Sequence, residues 1–417
     1  SNPNFNRAIN KVTMNDGTIK FVEQNILSTD LSFTLTQNIP WTGGSIFLET
    51  NAQRLDMLSD NTTSWQTSPV TFGYYQTLFG YNSLKWNKKI EPIRYLEAQK
   101  TYLETLQLVA VRATERFFLL ALAQSNLETA TNNYANADTL YQYAQGRYSI
   151  GTITENEMLQ LELNKLTEET NMMNARIEVE NNMQSLRSYL GIQDDTEIHV
   201  VINREVPQFI VSLSDAQIMA YNNNPEIQNM MRRKLESESA VAQAKSSAGL
   251  KADIYIRLGL TQTAGKFKDA YKDPLDQQLI SLGITLPILD WGKGKGKIRV
   301  AKSQRDLVYA QVEQDKTDFE LNIRKLVKQF NLQFQKVQIA ERTDETAHRR
   351  HDVARRLYIL GKSTILDLNA SITEKDAARR NYVNSLYNYW SLYYTLRSIT
   401  LYDFENNNEL KADLENL

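Results

Sequence analysis

The chain has 417 residues, 41% of them hydrophobic and 23% charged, with a formal net charge of -2 and no cysteine. Near-neutral charge excludes a global basic field that would recruit nucleic acid or an anionic membrane surface, and the lack of cysteine excludes disulfides, thiolate nucleophiles and zinc-thiolate sites. No run of about eighteen apolar residues could form a spanning helix, so any membrane role falls to β-strands.

Residues 1–30 are an N-terminal segment without a helical pattern, in which Asn15-Asp16-Gly17 reads as a turn. Residues 31–192 form a first repeat. Strands are expected over 31–79, where Leu31, Phe33 and Leu35, then Ile46 and Leu48, then Val70, Phe72 and Tyr74 alternate with polar or small residues. Pro92 suits the first turn of a long helix that runs to Tyr148. A glycine turn and a return helix complete a hairpin over 92–192. Residues 193–213 are a connector in which Ile198, Val200 and Ile202 alternate like a short strand.

The second repeat, 214–402, opens on a helix over 214–250 with Ser214 as its cap. Strands follow over 252–289, where Ile254, Ile256, Leu258 and Leu260, then Ile280, Leu282, Ile284, Leu286 and Ile288, alternate strictly. The stretch from Ile298 to Leu360 contains neither glycine nor proline. Roughly sixty helical residues make a rod of about 90 Å, which no globular domain accommodates. It folds back to complete a hairpin over 298–402, and 403–417 is a C-terminal tail.

The two halves are copies. Tyr148, Gly151, Thr154, Glu157 and Met158 recur as Tyr358, Gly361, Thr364, Asp367 and Leu368, an offset of 210 residues. The same offset pairs Leu186-Arg187-Ser188 with Leu396-Arg397-Ser398, and Val70-Thr71-Phe72-Gly73 with Ile280-Ser281-Leu282-Gly283. Several matches at one offset mark a duplication.

Nothing in the pattern asks for catalysis or a cofactor. His348 and His351 share a helical face beside Asp352, but Arg349, Arg350, Arg355 and Arg356 disfavour a cation there, and a solvated helix surface is expected. Gly292-Lys293-Gly294-Lys295-Gly296-Lys297 lacks the ending of a phosphate loop and reads as a flexible turn after a strand. Tyr74, Tyr75, Tyr81, Trp86, Tyr255 and Trp291 lie at or near strand ends, where aromatic rings suit a membrane–water boundary or core packing.

These motifs, with Asn224-Pro225-Glu226 and Leu282-Gly283-Ile284-Thr285-Leu286-Pro287, resemble the TolC-type outer membrane efflux family over nearly all of residues 31–402. The resemblance implies a mainly α fold with membrane β-strands: long helical hairpins and β-hairpins forming a trimeric α-barrel and β-barrel duct. Each protomer is expected to give four strands to a twelve-stranded barrel. The implied function is the outer-membrane channel of a tripartite efflux or type I secretion system, running from periplasm to exterior. A periplasmic adaptor and an inner-membrane pump would be its partners, and outer-membrane lipid its surroundings. Arg147, Tyr148, Gly151, Thr154, Tyr358, Gly361 and Thr364 match the tips that face the adaptor, and Asp367 the constricting acid. Ala370 stands where the family often has a second aspartate, and residues 1–30 lack the pattern of the family's opening helix of the first repeat. Long hairpins alone would also suit a coiled-coil structural or adhesive envelope protein.

Overall fold

A computed structural model describes residues 2–14, 17–194 and 196–411. Its strands are β1 (Asn2–Thr13), β2 (Ile19–Asn38), β3 (Ser45–Met57), β4 (Thr62–Leu78), β5 (Lys251–Ala264), β6 (Leu275–Thr285), β7 (Tyr402–Asp403) and β8 (Asn408–Glu409). Its helices are α1 (Ser83–Ser149), α2 (Glu155–Leu190), α3 (Leu213–Asn223), α4 (Pro225–Ser247), α5 (Lys293–Ile359) and α6 (Ile365–Thr400). The duplication is visible in these bounds. α1 and α5 are each 67 residues long and α2 and α6 each 36, all displaced by 210 positions. At about 1.5 Å per residue, α1 and α5 each measure about 100 Å along the axis.

The chain divides into two compact units, each drawing on both repeats: residues 1–95 with 229–313, and residues 96–228 with 314–417. The first holds a curled antiparallel sheet in the order β1-β2-β3-β4-β5-β6. The resemblance implies four strands and the sheet has six. The N-terminal segment supplies β1 and the first part of β2, which runs on into the strand expected at Leu31, Phe33 and Leu35. No helix is found in that segment among the described residues; Asn2–Thr13 pairs with Ile19–Asp30 as a long hairpin. Of the turn expected at Asn15-Asp16-Gly17, the first two residues lie outside those described.

The ladder explains the alternation. Leu35, Leu48, Phe72 and Leu258 lie side by side, as do Ile46, Tyr74, Ile256 and Ile280, so the apolar positions of β2 to β6 share one face. That face is open: Phe33 is 69% exposed, Leu35 63%, Ile280 73% and Ile284 68%. The other face is polar and better covered. Phe47 stacks on Tyr255 at 6.1 Å across Gly73, where a Cβ would come within 2.0 Å of the Phe47 ring. Arg257 on β5 pairs with Glu49 on β3 at 3.6 Å. No helix among the described residues is long and apolar enough to cross a membrane.

The second unit packs the two helical hairpins together. Its largest apolar cluster joins Phe118 of α1, Ala216 and Ala220 of α3, Ile323, Val327 and Phe330 of α5, and Tyr382, Leu386, Tyr389 and Leu396 of α6. Burying an aromatic or large aliphatic side chain stabilises by about 1.5–3 kcal/mol. Four sequence expectations need correction. α1 begins nine residues before Pro92, with Asn82 accepting from the Lys85 N–H at 2.9 Å as its cap. The helix expected over 214–250 is two, because Pro225 cannot donate within a helix and holds Asn224 extended. Ser214 is not the cap, since α3 starts one residue earlier behind Ser212. The connector 193–213 carries no strand among the described residues. Its backbone groups go to side chains instead: Gln124 accepts from Val200 N–H at 3.1 Å and donates to the Ile198 carbonyl at 2.6 Å, and Asn331 grips Val211 on both sides at 2.9 Å.

Candidate functional site at the hairpin tips

Each hairpin reverses over five residues, and the two reversals follow one plan. At the end of α1 the Gly151 N–H reaches the Tyr148 carbonyl and the Thr152 N–H the Arg147 carbonyl, both at 2.9 Å. At the end of α5, Gly361 reaches Tyr358 and Lys362 reaches Leu357, again at 2.9 Å. Two such bonds closing a helix C-terminus form a Schellman motif, which needs a left-handed residue. Gly151 at φ +74° and Gly361 at φ +69° supply it. Alanine at either position should destabilise its tip by about 1–2 kcal/mol, read as faster hydrogen exchange confined to 147–154 or 357–364.

The next helix starts immediately. Thr154 caps α2 by accepting from the Glu157 N–H at 3.2 Å, while the Glu157 carboxylate accepts from the Thr154 N–H at 2.9 Å. Thr364 and Asp367 repeat this box on α6, with Oγ1 of Thr364 accepting from Asp367 N–H at 3.2 Å. The recurring threonine, glycine and acid therefore encode one device, a Schellman stop followed by a capping box. Asp367 also accepts from Oγ1 of Thr364 at 2.9 Å and Oγ of Ser363 at 3.2 Å. These bonds, Thr364 first, hold its carboxyl below the usual aspartate range, although it is fully exposed.

The two tips meet. Leu140 and Ala144 of α1, Leu161 of α2 and Leu368 of α6 form a buried cluster, with Ile153, Tyr358 and Ile365 packed against it. Burial raises the Tyr358 phenol above its ordinary value, and the Arg147 charge partly opposes this. Arg147 lies over the Tyr143 ring at 5.9 Å. Tyr148 is 42% exposed, and Gly151, Thr154, Gly361 and Thr364 are exposed. The predicted tip residues thus share one surface, with Tyr358 turned inward.

Three further features differ from, or add to, the sequence reading. His351 is not on a solvated surface: it is buried, with Nδ1 3.2 Å from Ser371 Oγ on α6. Burial first, then the Lys375 charge, lowers its pKa. His348 is half exposed and contacts the Asp344 carbonyl of its own helix, and no metal-holding cluster occurs among the described residues. In the Gly-Lys run, the Asp290 carboxylate itself accepts from the N–H groups of Gly292 at 3.0 Å and Gly294 at 2.7 Å, occupying the position an anion would take. Trp65, which the sequence reading passed over, forms an aromatic cluster with Phe267 and through it Tyr271 at the turn end of the sheet, with Arg54 over its ring.

A family model described as outer membrane efflux protein matches residues 36–192 and 219–400. No curated protein matches the chain by sequence. Its fold is similar to CmeC of Campylobacter jejuni, at 15% identity and a TM-score of 0.66, covering 94% of this chain and 80% of that one. It is also similar to VceC of Vibrio cholerae (13%, 0.64, 90% and 86%) and to MtrE of Neisseria gonorrhoeae in its open state (12%, 0.63, 92% and 81%). The chain belongs to the outer membrane efflux protein family and is a non-enzymatic efflux channel of the outer membrane, extending into the periplasm.

Proposed function

We propose that three copies of the chain assemble into one duct, whose sheet faces lipid with its apolar side and whose hairpin tips meet a periplasmic adaptor serving an inner-membrane pump. The carrying observation is the two-faced sheet. Its open face carries Phe33, Leu35, Leu48, Phe72, Leu258, Ile280, Leu282 and Ile284, the outward apolar band that a membrane barrel wall needs. Its edges cannot stay unpaired in hydrocarbon, where each unsatisfied backbone group costs several kcal/mol, so closure with sister chains is required.

Asp367 is assigned to the constriction, three copies making an acidic ring that favours cations. Arg147, Tyr148, Gly151, Thr154, Tyr358, Gly361 and Thr364 are assigned to the adaptor-facing tips. Native mass spectrometry in detergent, followed by planar-bilayer recording, tests the duct: a trimer that conducts ions is expected. A stable monomer without conductance would point to the coiled-coil envelope protein instead.

A further inference from the structure

We infer that each protomer contributes six strands to the barrel, so that three protomers close eighteen strands, with β1 of one copy joined to β6 of the next. The inference rests on the trimeric reading above and extends it to the identity of the seam.

Strand direction selects the partners. β1 and β6 are the two ends of the sheet, and neither has a ladder partner on its outer side among the described residues. Neighbours in the sheet are antiparallel throughout, so β1 and β6 run in opposite senses, whereas β2 and β6 run in the same sense. A seam from β6 to β1 continues the antiparallel ladder around the ring. A seam from β6 to β2 would be parallel and would give an odd number of strands per copy. Antiparallel closure with an even strand number is the rule for single-chain bacterial outer-membrane barrels.

β1 also has the two-faced pattern of a wall strand. Phe5 lies opposite Leu27, on the face that continues to Leu31, Phe33 and Leu35, and it is 59% exposed. Asn4 and Asn6 fall on the opposite, polar face. Farther out, the face of Phe5 carries the Arg7–Glu23 ion pair at 2.5 Å, as expected where the strand leaves hydrocarbon.

The apolar band supplies the stagger. Leu35, Leu48, Phe72, Leu258 and Gln278 are level in the ladder. On β2 the apolar positions continue from there toward the turn end, through Phe33 and Leu31 to Leu27. On β6 they continue the other way, through Ile280, Leu282 and Ile284. A belt of constant height therefore crosses the strands obliquely, as strand tilt in a closed barrel demands, by roughly one to two residues per strand. Continued onto the next copy, this slope sets the second half of β6, with Leu282 and Ile284, against the first half of β1, with Phe5.

Because the chain has no cysteine, paired substitutions report directly. Asn4→Cys or Asn6→Cys on β1, each combined with Ser281→Cys or Gly283→Cys on β6, should yield covalent oligomers up to trimer on mild oxidation of the full chain in nanodiscs. The single variants should not. A strand-resolving reconstruction of the same particles should count eighteen strands. A trimer with twelve strands and the β1–β2 hairpin off the wall overturns the six-strand seam while leaving the trimer intact. Particles that are never trimeric overturn the trimeric reading itself.

Discussion

Replacing Asp376 with alanine is expected to destabilise the helical unit by about 3–5 kcal/mol, the cost of stranding one partner of a buried ion pair. Asn133 of α1, itself 5% exposed, donates to the Asp376 carboxylate at 2.7 Å and accepts from the Lys375 ammonium at 3.0 Å. The Lys375 and Asp376 side chains are only 10% and 15% exposed, and they approach to 3.4 Å. One amide on the first hairpin thus contacts both charges of the second, while Oδ1 of Asp376 has no hydrogen-bond partner and faces the Lys375 ammonium at 3.4 Å. Without the carboxylate, the ammonium keeps the Asn133 oxygen as its hydrogen-bond acceptor in a site where it is only 10% exposed. Lys375→Met should cost a similar amount, for the mirror-image reason. The combination Asn133→Leu, Lys375→Met and Asp376→Leu should recover most of the loss, since an apolar filling needs no partners. Denaturant unfolding followed by helical circular dichroism reads all three. A loss below about 1 kcal/mol in Asp376→Ala would mean that water already solvates the cluster. A second readout is Glu168, whose carboxyl is held above the usual range by burial first and by Asp376 thereafter. In Asp376→Ala its titration should move down.

That cluster shows where sequence reading stops. Long helices and alternating strands were legible because each is a period, and the period follows from backbone geometry alone. The duplication made them more secure: a glycine at 151 and another at 361 cannot both be accidents of composition. What stayed hidden depends on which elements meet. Lys375 and Asp376 look like ordinary surface charges until α6 is laid against Asn133, 243 residues away in the case of Asp376. His351 looked solvated because its arginine neighbours are, yet the helix turns its ring toward Ser371. Residues 1–30 escaped for another reason. Their apolar positions are sparse, with Phe5, Ile9, Ile19 and Phe21 set among Asn, Lys and Glu, so the alternation becomes visible only once Asn2–Thr13 and Ile19–Asp30 are paired. The connector fails in the opposite sense. Ile198, Val200 and Ile202 alternate as a strand would, but Gln124 takes the place of a neighbouring strand.

Asp367→Ala is expected to raise conductance through the closed duct and weaken its preference for cations, and Asp367→Asn separates the two roles the residue combines. The acid position was assigned to the constriction by resemblance, and the structure gives it a second task as the reciprocal partner of Thr364 in the capping box. Alanine removes both the charge and the box, and losing a cap costs about 0.5–2 kcal/mol, so increased conductance in that variant could arise from a frayed tip. Asparagine keeps an oxygen for the Thr364 N–H and removes only the charge. Reversal potentials under a salt gradient should therefore shift toward zero in Asp367→Asn as far as in Asp367→Ala, while hydrogen exchange at 364–368 rises only in the alanine variant. The pH dependence has a definite sign. The hydrogen bonds from Thr364 and Ser363 depress the folded-state pKa, so the charge, and the box it stabilises, are intact above the ordinary aspartate range. The charge is lost only as pH falls through the depressed value, and the protonated carboxyl then keeps an oxygen for the Thr364 N–H as asparagine does. Cation preference in the wild-type channel should accordingly survive titration through the range in which an ordinary aspartate protonates. Should Asp367→Asn leave the reversal potential unchanged, Asp367 is a cap alone and the constriction lies elsewhere on the tips.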